Sequence, residues 1–492
     1  MYVSYALTTF IPTHTVRTYP TFRSADPFNH FKMGALGLVP SDGLRADKTS
    51  PSSTASSSET SNESQAQAQT QVAVHQSWPG DRQRTASPPQ PFVATVEPMD
   101  ITSEEQAQNI LCQKVLILAA QLFPETRCSK DLQVEYIGSG SFHDVVGFTV
   151  PTLKLVTRNP DDTAGSGHFA IEEEKYVVRM PRSDVTDPNV DMRRDIAVLR
   201  GLSGRLDVPI PRVIAFNVTK NNLLDAPYTL ETRLRGRSLE DLVSKDTSEE
   251  QNVYVLKQVV QLVENLAQVT APYAGWIAEE FGEGIDRLFC SSGIPMKFFD
   301  FPFDASALAE LPDRRPLTFM LKLVDLWLEY EHECCPNEDN FASWFRIKAI
   351  LHSLQRHDLL GETFHLSHGD LASRNILAEI VDESSIEITG VVDWDFACFA
   401  PKFCMYRAPM DMWDGGEDVA IEECTSELVE IFKTIASPEY VRYAVSVDAQ
   451  LGRKIWYTLR TGMVGEERRW YASNNIWEWE RLHPEDNIGK LH

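Results

Sequence analysis

Basic residues are scarce in this chain. Only 46 Lys and Arg stand against 71 Asp and Glu over 492 residues, giving a formal charge of −25. Such a surface repels phosphodiester backbones and anionic lipid, and no local basic cluster offsets it, so no nucleic-acid or membrane-surface partner is expected. Cysteine is equally uninformative as a framework: eight occur, none in CxxC spacing, with Cys334-Cys335 the one close pair. That usage excludes a disulfide scaffold and fits a reduced, cytoplasmic protein. No run approaches the roughly 18 consecutive apolar residues that span a bilayer. The longest candidate, Val253 to Val269, is broken by Lys257, Gln258, Gln261 and Glu264. No GxxxxGK[ST] occurs, which excludes P-loop nucleotide hydrolases. The first residues lack a compact apolar core behind a basic start and so are no secretory signal; Arg17 and Arg23, with no acid before Asp26, leave a mitochondrial leader as the alternative to a plain tail.

What is present divides the chain. Residues 40 to 100 are rich in Ser, Gln, Pro and Thr, too poor in large apolar side chains to offset the entropy of ordering, and residues 1–101 are read as a disordered tail. Folded structure is expected from Thr102-Ser103, where Thr102/Glu105 and Ser103/Gln106 fit a capping box ahead of an apolar helical run ending near Phe123. Strands are predicted at Val134–Ile137, Val145–Val150, Tyr176–Met180 and Tyr228–Arg233, with a helix at about Val190–Leu202 and an extended edge segment at VPIPRVIAF. Most of residues 237 to 365 and 418 to 482 carry helical spacing. The layout is α+β: a β-rich lobe over residues 102–236 and a mainly helical lobe over 237–492.

The segment Leu366 to Ala397 holds the strongest chemical signal. His368-Gly369-Asp370 is followed by Asn375 and later by Asp393, with β-like runs at Ile376–Val381 and Ile386–Val392 joined by a polar turn. A hairpin in which 381 faces 386 and 376 faces 391 sets Asn375 and Asp393 side by side at its open end. An amide oxygen and a carboxylate there suit Mg²⁺, a hard cation that completes its octahedron with water and phosphate oxygens. Asp370 then stands where it can contact a substrate hydroxyl. Phosphoryl transfer asks for little else from a protein.

Two weaker signals fit the same chemistry. Ile137-Gly-Ser-Gly-Ser-Phe-His-Asp-Val-Val146 is a glycine-rich turn between strands, and Gly138 and Gly140 allow backbone N–H groups to approach phosphates; an ordinary tight hairpin is the alternative. It is not the Rossmann pattern, because strands flank it and position 143 is His. Arg179, within a predicted strand, and Asp195, on the next helix, form a candidate pair in which the cation holds phosphates and the carboxylate orients it; a plain ion pair is the alternative.

With these residues placed, the chain resembles the aminoglycoside phosphotransferase-like (phosphotransferase enzyme) family, a small-molecule branch of the protein-kinase-like fold. The resemblance spans about residues 131 to 400 and rests on HGDLASRN at 368–375, VVDWD at 391–395, IPRVIAF at 210–216 and PYTLETRLRGRSL at 227–239. It implies a two-lobe fold, ATP and Mg²⁺ as cofactors, Asp370 as catalytic base, Asn375 and Asp393 as metal ligands, and a hinge whose backbone around Glu231, Thr232 and Leu234 binds adenine. Arg179 stands where the family commonly has Lys, and Asp195 where it commonly has Glu. HGD in place of HRD, DWD in place of DFG and the lack of an APE sequence argue against a protein kinase. Asp395 is expected to make a structural hydrogen bond and His368 to brace its loop.

The acceptor is expected to be a hydroxyl on a small molecule. Acidic clusters at Glu279, Glu280, Glu283 and Asp286 and at Glu329, Glu331 and Glu333 would favour a cationic one, against the alternative of a solvated helix face. Trp276, Trp327 and Trp344 are read as core rather than pocket. A nucleotide-binding pseudokinase serving as a scaffold is the competing reading, and the sequence specifies no oligomeric state.

Overall fold

Alternation of apolar side chains along two long strands sets the geometry of the first lobe. The computed structural model describes residues 103–124, 132–140, 142–156, 168–182, 188–243, 247–278, 288–290, 293–334, 336–409, 412 and 427–488, so the tail expected over 1–101 lies outside them. Helix α1 (Ser103–Leu122) precedes β1 (Gln133–Ser139), β2 (His143–Val156) and β3 (His168–Pro181). Then come α2 (Pro188–Leu202), β4 (Val213–Asn217) and β5 (Tyr228–Thr232), and the five strands form an antiparallel sheet in the order β1-β2-β3-β5-β4. VPIPRVIAF accordingly supplies the edge strand β4.

On one face of this sheet Val146, Phe148 and Val150 of β2 and Tyr176, Val178 and Met180 of β3 pack with Val115, Leu118 and Ala119 of α1. The intervening residues Val145, Val177 and Arg179 point the other way, toward the second lobe. A slip of one residue in β3 would bury the Arg179 guanidinium among the apolar side chains and expose Tyr176, Val178 and Met180, so the register is strongly specified.

The chain then passes β6 (Arg237–Ser238), α3 (Leu239–Val243), α4 (Glu249–Leu266), β7 (Thr270–Ala271), β8 (Gly275–Ile277), β9 (Leu288–Phe289) and β10 (Pro295–Lys297). Helices α5 (Pro316–Cys334) and α6 (Glu338–Arg356) follow, then β11 (Phe364–Ser367), β12 (Ile376–Ile380), β13 (Ile386–Val391) and β14 (Cys398–Pro401). Helices α7 (Lys402–Met405), α8 (Glu427–Ile435), α9 (Pro438–Val445), α10 (Val447–Thr461) and α11 (Glu466–Leu482) complete the lobe. Residues 237 to 365, read as mostly helical, also hold short strands. Short strands β7 to β10 join β11 and β14 in a six-stranded sheet ordered β7-β11-β14-β8-β10-β9. Runs of two or three residues are too short to show a period of two.

Trp327 and Trp344 stack with ring centroids 5.8 Å apart in the core of this lobe, their indole N–H groups donating to Leu459 O and Glu331 Oε1. Trp276 is buried as well. Glu331 therefore faces inward while Glu329 and Glu333 face solvent, and the three do not form one acidic face. The cluster at Glu279, Glu280, Glu283 and Asp286 lies outside the described residues.

Helix α4 secures the hairpin that carries the site. Ser248 caps it, with a reciprocal bond from Gln251, whose side-chain amide also donates to Asp382 O at 2.7 Å. Two turns further, the Gln258 carboxamide accepts from Ile388 N at 3.0 Å and donates to Ile386 O, imitating a neighbouring strand. Each such bond contributes about 1 kcal/mol net, and leaving those edge groups buried and unpaired would cost more.

Candidate active site

The catalytic-loop candidates sit where two sheets meet. In β12/β13 Ile376 faces Val391, as the sequence predicts, and Val392 N donates to Asn375 O at 2.9 Å. At the turn Ile380 faces Ile386, where 381 was expected; an irregularity between Leu377 and Ala378 absorbs the extra residue and leaves the open end in its expected register. Strand β11 meanwhile pairs with β14 through Leu366↔Phe399 and Ser367↔Cys398, which sets the loop from His368 onward against Trp394–Phe396. Gly369 makes that approach feasible. Its φ is +83°, and a Cβ there would lie 2.4 Å from Phe396 O.

Asp370 is held from both sides. Its Oδ1 accepts from Arg374 at 2.5 Å, and its Oδ2 accepts from Asn375 Nδ2 at 3.0 Å. Asn375 Nδ2 also donates to Asp370 O at 2.8 Å, so both acceptors fix the NH₂ toward Asp370 and leave the amide oxygen as the atom Asn375 can offer a cation. His368 braces the loop: Nε2 donates to Val392 O at 3.0 Å, Nδ1 accepts from Asp370 N at 3.3 Å, and the ring lies against Trp394. Burial lowers its pKa to about 4, consistent with this neutral tautomer.

Arg179 reaches the cleft from the opposite lobe, directly across β2/β3 from Val145. Its guanidinium donates to both oxygens of Asp395, at 2.9 and 2.7 Å, and to Asp393 Oδ1 at 3.4 Å, and it lies 4.0 Å from Glu231 Oε1. Asp395 clasps the cation bidentately, while Asp195 Oδ2 lies 3.5 Å from His143 Nε2. His143, at the start of β2 beside the glycine-rich turn, contacts both Asp195 and Arg179. Its Nδ1 accepts from Arg179 at 3.1 Å, and burial followed by the nearby guanidinium lowers its pKa to about 4. His143 escaped the sequence reading of the site, although its parity was a signal. It is two positions before Val145 on one strand and therefore shares the face that looks at Arg179.

The glycine turn is folded down. Gly138 pairs with Val145 beyond an irregularity in β1, and Gly140 N–H closes the turn on His143 O at 2.8 Å while Gly140 O accepts from Arg182 at 3.1 Å. Phe142 packs edge-on against Phe396, with ring centroids 5.8 Å apart. Behind the turn a separate apolar cluster joins Val145 and Val177 of the first lobe to Leu377 and Val392 of the second, with Ile137 and Leu234 at its margin. Among the hinge candidates, Thr232 N donates to Arg212 O at 3.0 Å, and Glu231 turns its carboxylate inward to accept from Thr229. Leu234 borders the interlobe cluster.

The residues fit a divalent cation. Asp393, buried and held at φ +65°, stands beside Asp395 and Asp370. Burial and the charge of Asp395 raise the pKa of Asp393, whereas Arg179 holds Asp395 low despite its burial. Crowded carboxylate oxygens next to an amide oxygen are a hard donor set, and a divalent ion would relieve their repulsion.

Two lobes joined by a hinge strand, with a His-Gly-Asp loop against an Asp-Trp-Asp segment, define a protein-kinase-like phosphotransferase fold. The sequence profile described as the phosphotransferase enzyme family matches residues 162–404, and over that part the chain is similar to this family. No curated protein matches the chain at a significant level. Among solved structures, the GDP complex of wild-type aminoglycoside 2'-phosphotransferase-IIIa is 15% identical with a TM-score of 0.37, over 76% of this chain and 99% of that one. The streptomycin–ATP–APH(2")-IIa ternary complex is 13% identical with a TM-score of 0.37, over 73% and 96%. Macrolide 2'-phosphotransferase MphH from Brachybacterium faecium is 17% identical with a TM-score of 0.36, over 74% and 97%. Likeness at this level carries no substrate or activity to the present chain.

Proposed function

We propose that this protein is an ATP- and Mg²⁺-dependent kinase acting on a hydroxyl group of a small molecule. The observation that carries the reading is the convergence of Asp370, Asn375 and Asp393 at the open end of one hairpin, with Arg179 on the opposite wall. Asp370, its oxygens fixed by Arg374 and Asn375, would take the proton of the acceptor hydroxyl as that oxygen bonds to the γ-phosphorus and the bond to the leaving ADP oxygen breaks. Asn375 and Asp393 would hold Mg²⁺, whose role when bound is to neutralise charge on the phosphate oxygens. Arg179 would steady the phosphates from the first lobe, and Asp195 would act on it through His143. The interlobe cluster of Val145, Val177, Leu377 and Val392 has the apolar walls an adenine ring needs, with hinge backbone around Glu231 to Leu234 at its edge.

The test is ATP consumption across a panel of hydroxylated metabolites, with Mg²⁺ supplied and then withheld. Stimulation by at least one acceptor, dependent on the metal, is expected. A second reading, a nucleotide-binding scaffold without turnover, draws on the engagement of Arg179 by Asp395 and of the Gly140 N–H within its own turn. Thermal-shift titration separates the two, because ATP binding that ignores Mg²⁺ favours the scaffold.

A further inference from the structure

Three helix ends meet far along the chain from the hairpin: the C-cap of α6 at His357, the first turn of α10 at Asp448, and the C-cap of α11 at His483. Their donor atoms lie within 4.8 Å of one another. We propose that His357, Asp448 and His483 form a binding site for a transition-metal ion of the zinc class, which clips α11 to α6 and α10.

Spacing is the first argument. His483 Nε2 is 2.9 Å from Asp448 Oδ1, and His357 Nδ1 is 3.6 Å from Asp448 Oδ2. Tetrahedral zinc with bonds of roughly 2.0–2.1 Å separates its ligand atoms by about 3.3 Å, a value these two distances bracket. Two imidazole nitrogens and one carboxylate also match the preference of borderline ions such as Zn²⁺ and Co²⁺ over the all-oxygen preference of Mg²⁺.

The partners of His483 are the second. His483 Nδ1 lies 3.2 Å from Glu485 Oε1 while Nε2 faces Asp448. His483 is therefore held between two carboxylates, and an ion bound at Nε2 would leave Nδ1–H free to donate to Glu485. A carboxylate receiving the remote N–H of a histidine is the usual outer partner of a zinc ligand, which is the part Glu485 plays here. Trp479 stacks on the His483 ring at a centroid distance of 4.5 Å and fixes its plane, and the two histidine rings lie edge to face at 4.8 Å. The clip would act on the approach to the catalytic loop, because His357 ends the helix whose continuation, after Asp358 to Thr363, is β11 and then His368. Arg442 bonds both His357 O and Asp358 there.

The test uses the full chain stripped with a chelator and titrated with ZnCl₂, followed by calorimetry and melting temperature, and with CoCl₂, followed by the visible absorption of four-coordinate Co²⁺. One saturable ion per chain, a raised melting temperature and the cobalt spectrum are expected. His357→Gln, at a partly exposed position where folding is safe, should weaken the ion at least about tenfold, and Glu485→Gln by about tenfold through the outer partner alone. His143→Gln, in the other cluster of histidine and carboxylates, should leave the cobalt spectrum unchanged. Absence of saturable binding, equal binding by His357→Gln, or loss of the spectrum in His143→Gln instead would overturn the proposal. None of these readouts depends on turnover, so the clip stands or falls apart from the kinase reading.

Discussion

Arg179 grips Asp395, the second aspartate of the Asp-Trp-Asp segment, through two guanidinium nitrogens at 2.9 and 2.7 Å, linking strand β3 of one lobe to the loop after β13 of the other. The link spans the cleft in which phosphate chemistry is proposed, so this one pair bears on both stability and catalysis.

Removing the cation should therefore be costly. Arg179→Met leaves Asp395 and Asp393 buried beside each other, and truncating one side of such a pair costs about 3–5 kcal/mol. Urea denaturation is expected to show a fall of that size. Arg179→Lys should retain part of it, because an ammonium cannot make the bidentate contact; an unchanged midpoint in Arg179→Met would contradict the account.

Asp370→Asn keeps the shape of the loop and removes the proposed base. Turnover of any stimulating acceptor should drop by about 10²–10⁴-fold, with ATP affinity little altered. Equal turnover by the two proteins would take Asp370 out of the chemistry.

Acid should destabilise the fold in a defined window. His143 and His368 are buried, neutral, and have pKa values of about 4 against an ordinary 6.5. The unfolded chain binds protons at these positions first, so stability is fully present above pH 6.5, falls as the pH drops toward 4, and levels off below. Each group contributes on the order of 3 kcal/mol to that loss. His143→Gln should flatten the melting-temperature profile between those limits; a slope as steep as wild type would mean His143 is not excluded from protonation.

Gly369→Ala combines a left-handed backbone with a Cβ that meets Phe396 O. A loss of about 1–3 kcal/mol is expected from the backbone alone. Activity measured well below the melting temperature should fall as well, because Asp370 is the next residue. Full activity in the folded variant would show that the loop tolerates the shift.

The hairpin was legible in the sequence because both its ends are marked. Polar turn residues lie between β-branched runs, and functional side chains flank them. The irregularity at Leu377/Ala378 was not, since a bulge depends on the α4 side chains that secure β13 rather than on any local pattern. Arg179 could be placed on its strand, but its bidentate contact with Asp395 went unread, because Asp395 lies 216 positions further along the chain and was expected to make only a structural hydrogen bond. The strands β7 to β10 passed unseen because pairing with β11 and β14, not propensity, holds them extended. Trp327 and Trp344 were readable as core from helical spacing alone.

Phe142 rests on Phe396, and the carbonyl of Phe396 occupies the space a side chain on Gly369 would need. The roof of the cleft, its aspartate floor and the seat of Asp370 are thus stacked in series. Under the proposed function, a nucleotide that displaced Phe142 would bear on Phe396 and so on the backbone before Asp370. Affinities for nucleotide and for the proposed acceptor would then be linked, each altering the other by the same factor.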